Sequence, residues 1–305
     1  VNWQMPLIYC ITNGNKKITS INRHILAALK EKFGANFYLF KSSDSAEALS
    51  FIHALDSNCT HLIGVGGDGT FNVLLNAVCT HPDQAFQPII GIVPNGTGND
   101  FFRSAGLNKA FDFLESIGLG AFRTIDVGLI ETPHEKRYFA NITDVGFGGA
   151  VVIELQNFRK RFGPNFSYGL AIVKTFLKYK RPLVQMTAAD FRYEGELLLA
   201  AFCNGSIFGD GLHIHPGAKI DDGQLKLTLL GKVSLFDYLK NVVKVKRGKK
   251  INHPEAHYLE VSTPLQLQSL EGVLHAETDG EYISGQSFEV TLHTAKIKLL
   301  AMNKA

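Results

Sequence analysis

Four glycines and an aspartate crowd the stretch HLIGVGGDGTFNVLLNAV, residues 61–78. Gly66, Gly67 and Gly69 open backbone conformations closed to other residues and let a ligand approach the chain closely. The amides at the start of the helix that follows attract an anion. A carboxylate at Asp68 would repel that anion unless a divalent cation lay between them. Magnesium held by one or two carboxylates and by nucleotide phosphates is the ordinary arrangement in phosphoryl transfer. The pattern therefore predicts Mg²⁺–ATP beside Asp68, reached directly or through water. The plainer alternative is a glycine-rich turn in which Asp68 caps the next helix.

A second loop, PNGTGND at 94–100, follows the next strand-like run. Thr97 brings a hydroxyl, Gly96 and Gly98 allow close approach, and Asn99 and Asp100 are placed to cap a helix opening at Phe101. Two glycine loops at strand carboxyl ends favour one phosphate-binding crevice over two unrelated turns. Gly64, Gly66 and Gly69 satisfy G-x-G-x-x-G, yet no acid ends the next strand, and no Gly-Lys-Ser/Thr follows either. A dinucleotide fingerprint and a Walker loop are both disfavoured.

Late in the chain stands ETDGEYI, 277–283. Asp279–Gly280 is first of all a hairpin turn signal. A kinase also needs a carboxylate near the acceptor hydroxyl, to take or align its proton. Acids two residues apart on extended chain, as Asp279 and Glu281 are, would point the same way. Both readings stay open here, as they do for Asp222–Gly223 in AKIDDGQLKL, 218–227, which most simply makes a turn.

The elements that must position these groups alternate at first. Strand-like runs at 6–11, 36–40, 61–65 and 88–93 are separated by helical spacing at 20–33, 45–55 and 71–79. That alternation predicts a mostly parallel sheet with helical crossovers. After about residue 125 strand follows strand, at 125–130, 137–142, 184–193, 196–203, 224–230, 258–263 and 287–293, with helical stretches at 167–181 and 234–247. This is the texture of an antiparallel β-sandwich. The expected division is an α/β domain at 1–125 and a β-rich domain at 126–292.

The totals bound the class. Of 305 residues 45% are hydrophobic and 19% charged, enough apolar material for a packed core. A net charge of +3 does not by itself predict nucleic-acid binding. The four cysteines show no metal-ligand spacing, so free thiols in a reducing compartment are expected. The longest purely apolar run, Leu197–Cys203, falls well short of the roughly 18 residues of a membrane span. A cytoplasmic protein without signal peptide is expected. The basic runs at 174–181 and 244–250 read as solvated surface or as docking sites for anionic lipid at the inner face of the membrane.

GGDGTFN (66–72) and PNGTGNDFFRSAGL (94–107) resemble the diacylglycerol kinase catalytic family, in particular its soluble bacterial lipid-kinase branch. NITDVGFGGAVV (141–152), NGSIFGDGLHIHPGAKIDDGQLKL (204–227) and ETDGEYI (277–283) continue the resemblance in order along the chain. It implies a three-layer, NAD kinase-like first domain with a mostly parallel sheet, to which the tail 293–305 returns, and a mainly antiparallel second domain. It implies an ATP crevice between them, magnesium dependence, and phosphorylation of a diacylglycerol-like or sphingoid lipid at a membrane surface. By resemblance, ATP contacts fall on Gly66, Gly67, Asp68, Gly69, Thr70 and Asn72, and on the second loop, Gly96, Thr97, Gly98, Asn99 and Asp100. Asp279 and Glu281 form the late acidic pair, with Glu281 the proton acceptor. A structural Mg²⁺ or Ca²⁺ is implied at the Asp222 side chain and the carbonyls of Lys219 and Gln224.

The chain departs from that pattern where N-P-x-S-G becomes CITNG (10–14) and where a triple glycine becomes Gly209–Asp210–Gly211. Two other functions share parts of the pattern: an NAD kinase, and a nucleotide-binding regulator without catalysis. Neither the lipid nor the oligomeric state is written in the sequence.

Overall fold

The computed structural model describes residues 5–96, 98–107, 113–162, 164–209 and 211–301, with the side chains of 156–170 left aside. Thr97 and Asp210 lie outside the described residues. The chain divides into two compact units, Val1–Val127 with Thr294–Ala305, and Gly128–His293.

The first unit alternates as its hydrophobic spacing requires. Its order is β1 (Ile8–Asn13), α1 (Ser20–Phe33), β2 (Phe37–Ser42), α2 (Ser45–His53), β3 (His61–Gly66), α3 (Asp68–Cys79), β4 (Ile89–Pro94), α4 (Asp100–Ser104), α5 (Phe113–Leu119) and the start of β5 (Phe122–Glu131). The strands lie in the order β2-β1-β3-β4, all parallel. Lys298 and Leu299, near the chain's end, add a further parallel partner beside β4. Period-two alternation sends β3 side chains to opposite layers. Ile63 and Val65 join a core with Leu26, Leu29 and Phe33 of α1 and Phe113 and Ile117 of α5. Gly64, between them, faces Thr70 and Leu74 of α3. The sheet is therefore a middle layer between helices. The helix expected at 71–79 begins earlier, at Asp68, so half of the glycine loop is its first turn.

The second unit holds β6 (Lys136–Phe139), β7 (Ile142–Gly146), α6 (Phe147–Phe162), α7 (Pro164–Lys178), β8 (Leu183–Thr187), β9 (Arg192–Glu196), β10 (Leu199–Cys203), β11 (Ile207–Phe208), β12 (Leu212–His213), β13 (Leu225–Leu230), α8 (Leu235–Lys246), β14 (Ala256–Val261), β15 (Leu265–Ser269), β16 (Leu274–Thr278), β17 (Glu281–Gly285) and the start of β18 (Ser287–Leu300). One antiparallel sheet runs β14-β13-β10-β7-β16-β17. In a second, β9, β8, β15 and β18 pair antiparallel in that order. Leu225, Leu227, Leu229, Phe202 and Ile283 of the first sheet bury against Val184, Met186, Leu265, Leu267 and Phe288 of the second. That shared core makes the sandwich. The 184–193 run is not one strand but a hairpin, β8 and β9, turning through 188–191. α6 was not among the expected helical stretches, and its glycines at 148 and 149 disfavour helix by propensity.

Phe147, Val151, Phe176, Tyr179 and Tyr238 of the three helices cluster with Leu198 and Leu230 of the sheet. Val173 and Leu177 of α7 are 37% and 73% exposed. Cys10, Cys59, Cys79 and Cys203 are all free. Among the described residues no helix is long and apolar enough to cross a membrane.

Candidate active site

The two glycine loops of the first unit touch backbone to backbone. A Cβ at Gly67 would come within 3.1 Å of Gly96 Cα, and one at Gly96 within 2.7 Å of Gly67 Cα. A Cβ at Gly66 would overlap Thr70 Oγ1, at 2.0 Å. These three glycines are required by the protein's own packing. Gly69 is different: a Cβ there would meet nothing within 4 Å. Room is kept at the first turn of α3, a 12-residue helix, where the Thr70 and Phe71 N–H groups donate to the Gly67 carbonyl and those of Asp68 and Gly69 lie ahead of the first intrahelical bond.

Asp68 answers for its charge locally. Its Oδ2 accepts the Asp100 N–H at 3.1 Å and its Oδ1 the Phe101 N–H at 3.0 Å. It caps α4, not the helix it begins. Asn99 and Asp100 were expected to cap α4, but Asn99 sits in the left-handed region at φ 52° and makes no side-chain cap. Its Nδ2 instead donates to the Gly96 carbonyl at 2.9 Å, while its buried Oδ1 finds no donor among the described residues. Asp100 pairs with Arg103. Phe71 and Phe101 stack at 4.0 Å between centroids and bolt α3 to α4.

Two residues outside the expected set hold the second loop. Asn95 Oδ1 accepts from the Thr19 N–H at 3.1 Å and from Asn22 Nδ2 at 2.9 Å. Asn95 Nδ2 donates to the Lys17 carbonyl at 3.1 Å. An asparagine directly before G-T-G was the available signal. Asn72 is buried on α3 and accepts from Asn76 Nδ2 at 3.2 Å, so its amide serves the helix.

In the second unit, Asp279 and Gly280 form the two-residue turn between β16 and β17, with φ of 47° and 95°. Positive φ at both central positions is the demand of a type I′ hairpin, met by Asp-Gly. The premise of extended chain through 279–281 therefore fails, and the two acids diverge. The Asp279 carboxylate accepts the Ala140 N–H at 2.8 Å, the Asn141 N–H at 3.2 Å and the Ile142 N–H at 3.0 Å. Glu281 opens β17 and is exposed.

Around 219–224 the residues do not fit a divalent ion. Asp222 Oδ1 accepts the Gln224 N–H at 3.1 Å, and Asp222 Oδ2 faces the Lys226 ammonium at 3.8 Å. Lys226, its side chain 5% exposed, also binds Gln224 Oε1 and Glu260 Oε1. An ammonium is the cation of this loop, and a second cation beside it would be repelled. Among the described residues no group of three or more His, Cys, Asp or Glu is gathered for a metal. The first unit's loops, by contrast, fit a phosphate-bearing ligand: an open position at Gly69, beside the Asp68 and Gly69 amides at the start of α3.

Comparison with known proteins agrees over nearly the full chain. Residues 5–130 match the diacylglycerol kinase catalytic domain. Residues 142–301 match the YegS C-terminal NAD kinase beta sandwich-like domain. A Shewanella frigidimarina protein named "Probable lipid kinase YegS-like" is 30% identical over 86% of this chain and 86% of its own. A Staphylococcus carnosus diacylglycerol kinase is 28% identical over 90% of this chain and 88% of its own. A Bacillus anthracis diacylglycerol kinase crystal structure shares the fold, with a TM-score of 0.70 at 17% identity, over 97% of each chain.

Proposed function

Since this chain belongs to the diacylglycerol kinase catalytic family, we propose that it transfers the γ-phosphoryl group of ATP to a hydroxyl of a membrane lipid, diacylglycerol-like or sphingoid. The observation that carries the reading is the vacancy at Gly69. Of the glycines at 66, 67, 69 and 96, it alone has no neighbour to avoid. Its small size is spared for something that is not protein, and the amides at that helix start suit a phosphate.

Each group then has a defined role. The glycine-loop amides orient the phosphates. Asp68 fixes the second loop through α4, and each of its oxygens keeps a lone pair for a water in a magnesium shell. Magnesium, when bound, supplies charge neutralisation on the transferred phosphoryl. Asp279 spends its carboxylate on the 140–142 amides, which leaves Glu281 to accept or align the proton of the acceptor alcohol.

The acceptor's home in a bilayer is matched by α8. Ser234 caps this helix, its Oγ accepting the Asp237 N–H at 3.1 Å. Tyr238 and Val245 turn inward, yet Phe236, Leu239 and Val243, spaced i, i+3 and i+7, are 73%, 49% and 55% exposed. Lys240, Lys244 and Lys246 are exposed on the same helix. An outward apolar ridge flanked by lysines is the pattern of a helix lying in an anionic lipid interface.

Labelled ATP incubated with the protein and a panel of diacylglycerol, sphingosine, ceramide and NAD tests the assignment. Label on a lipid supports it. Label on NAD, or nucleotide binding with no labelled product, overturns it.

A further inference from the structure

Beneath the Asp279–Gly280 turn lie two carboxyl groups that phosphoryl transfer does not require. Asp144 of β7 and Glu277 of β16 are directly opposed across the antiparallel pair. They are 1% and 3% exposed. Both project from the sheet face covered by α6, and the start of that helix is shaped around them. A Cβ at Gly148 would overlap the Asp144 carboxylate at 2.0 Å, and one at Gly149 would come within 2.6 Å of the β16 backbone at Ala276. The glycine pair lets the helix N-terminus settle onto the acids, with the Gly148 and Gly149 amides against Asp144.

Those amides aside, neither Asp144 oxygen nor Glu277 Oε2 has a donor among the described residues. Two ionised carboxylates side by side without water are not sustainable. One proton between them removes the repulsion and supplies the missing donor. The helix amides favour charge on Asp144, so the proton resides mainly on Glu277, whose O–H donates to Asp144. The other oxygen, Glu277 Oε1, accepts the Gly280 N–H.

We infer that Glu277 is a positioning residue: with the one proton it shares with Asp144, it holds the Gly280 amide and so fixes the turn from which Glu281 projects. This rests on the reading of Glu281 as the acid that meets the acceptor hydroxyl. The relay runs from the α6 N-terminus through Asp144 and Glu277 to the turn. Asp279 ties the same turn to residues 140–142 from its other side.

The relay is sensitive to pH. Burial pushes the Asp144 carboxyl up to about 7. Burial, and then the charge of Asp144, raise Glu277 well above the usual carboxylate range. The groups facing the pair from other elements are Tyr179 just past α7, Tyr238 of α8 and Cys203 of β10, with Asp279 in the turn. Burial raises the first three, which keeps them neutral across this range; Arg181 acts on Tyr179. The folded protein thus holds a proton that the unfolded chain releases near pH 4. Stability falls as pH rises from there, through about 7 where Asp144 ionises and on through the higher range in which Glu277 gives up its proton.

Glu277→Gln tests the proposal. Its amide keeps an acceptor for Gly280 and a donor for Asp144, with no proton to lose; Glu277→Ala keeps neither. In the apo protein, Gly280 amide exchange by NMR should be at least about tenfold slower in wild type and Glu277→Gln than in Glu277→Ala. The fall in Tm from about pH 5 to about pH 9 should be larger in wild type than in Glu277→Gln. In lipid phosphorylation, Glu277→Ala should lose about 10- to 100-fold in kcat at unchanged KM for ATP, and Glu277→Gln should restore it within a few-fold. Equal loss of Gly280 protection in both variants, equal pH dependence in wild type and Glu277→Gln, or full kcat in Glu277→Ala would overturn the relay. Failure of the wild type to label any lipid would instead remove the kinase reading, and the exchange and Tm comparisons would still decide the relay.

Discussion

Removing the Asp68 carboxylate separates its two proposed duties. In Asp68→Ala the N–H groups of Asp100 and Phe101, now at 3.1 and 3.0 Å from its oxygens, lose their acceptors. Loss of a helix cap costs about 0.5–2 kcal/mol. Two amides on one carboxylate place this site at the upper end, at about 2 kcal/mol; Asp68→Asn, which keeps one oxygen, should cost about half. The first unit, Val1–Val127 with Thr294–Ala305, has about 140 residues. At about 3–5 °C per kcal/mol for that size, Asp68→Ala should lower its Tm by roughly 6–10 °C. Scanning calorimetry measures this. Nucleotide affinity is then titrated against Mg²⁺ below the melting range. If Asp68 also faces the metal shell, the Asn variant should need several-fold more Mg²⁺ for half-maximal ATP binding. Its ATP affinity should approach wild type as the ion is raised. An Asp68→Ala protein with unchanged Tm would refute the cap, and an Asn variant with an unchanged Mg²⁺ requirement would refute the metal role.

Three further outcomes follow from the same geometry. Gly69→Leu should fold with unchanged or slightly higher Tm, since a Cβ there meets nothing within 4 Å and leucine is the better helix former, while ATP affinity drops at least about tenfold; calorimetry and equilibrium binding read the two effects. Because Lys226 is the cation facing Asp222 and Glu260, EDTA should leave the wild-type Tm within about 1 °C, whereas Lys226→Met should lower it by several °C. Replacing Phe236, Leu239 and Val243 together by serine should weaken sedimentation with anionic vesicles at least about tenfold at unchanged Tm, and equal sedimentation would place docking elsewhere.

What was readable in the sequence was local. Apolar spacing placed α1 and the strand cores because period 3.6 and period 2 are imposed within a dozen residues. The Asp279–Gly280 turn was equally plain, since few sequences satisfy two consecutive positive φ values. The duties of the same residues were not readable. Asp68 finds its partners 32 residues on, and Asp279 finds its partners 137 to 139 residues back. Both resemble catalytic acids in sequence because a carboxylate that collects backbone amides and one that meets a substrate look the same as letters. Asp144 and Glu277 are paired only by strand register, which no short motif records. α6 was missed because Gly148 and Gly149 serve close packing, on Asp144 of β7 and on the β16 backbone, and tertiary contact overrides helix propensity there. The outward ridge of α8 was hidden for the opposite reason: a helix with apolar residues on two faces has no single stripe to read.

The most direct test is the initial rate of label transfer from γ-labelled ATP to diacylglycerol in anionic vesicles, for wild type and Glu281→Gln side by side. Labelled lipid from the wild type, with a kcat about 100-fold or more lower in the variant at unchanged Tm, is the predicted result. No lipid product from the wild type, or equal rates from both proteins, would contradict it.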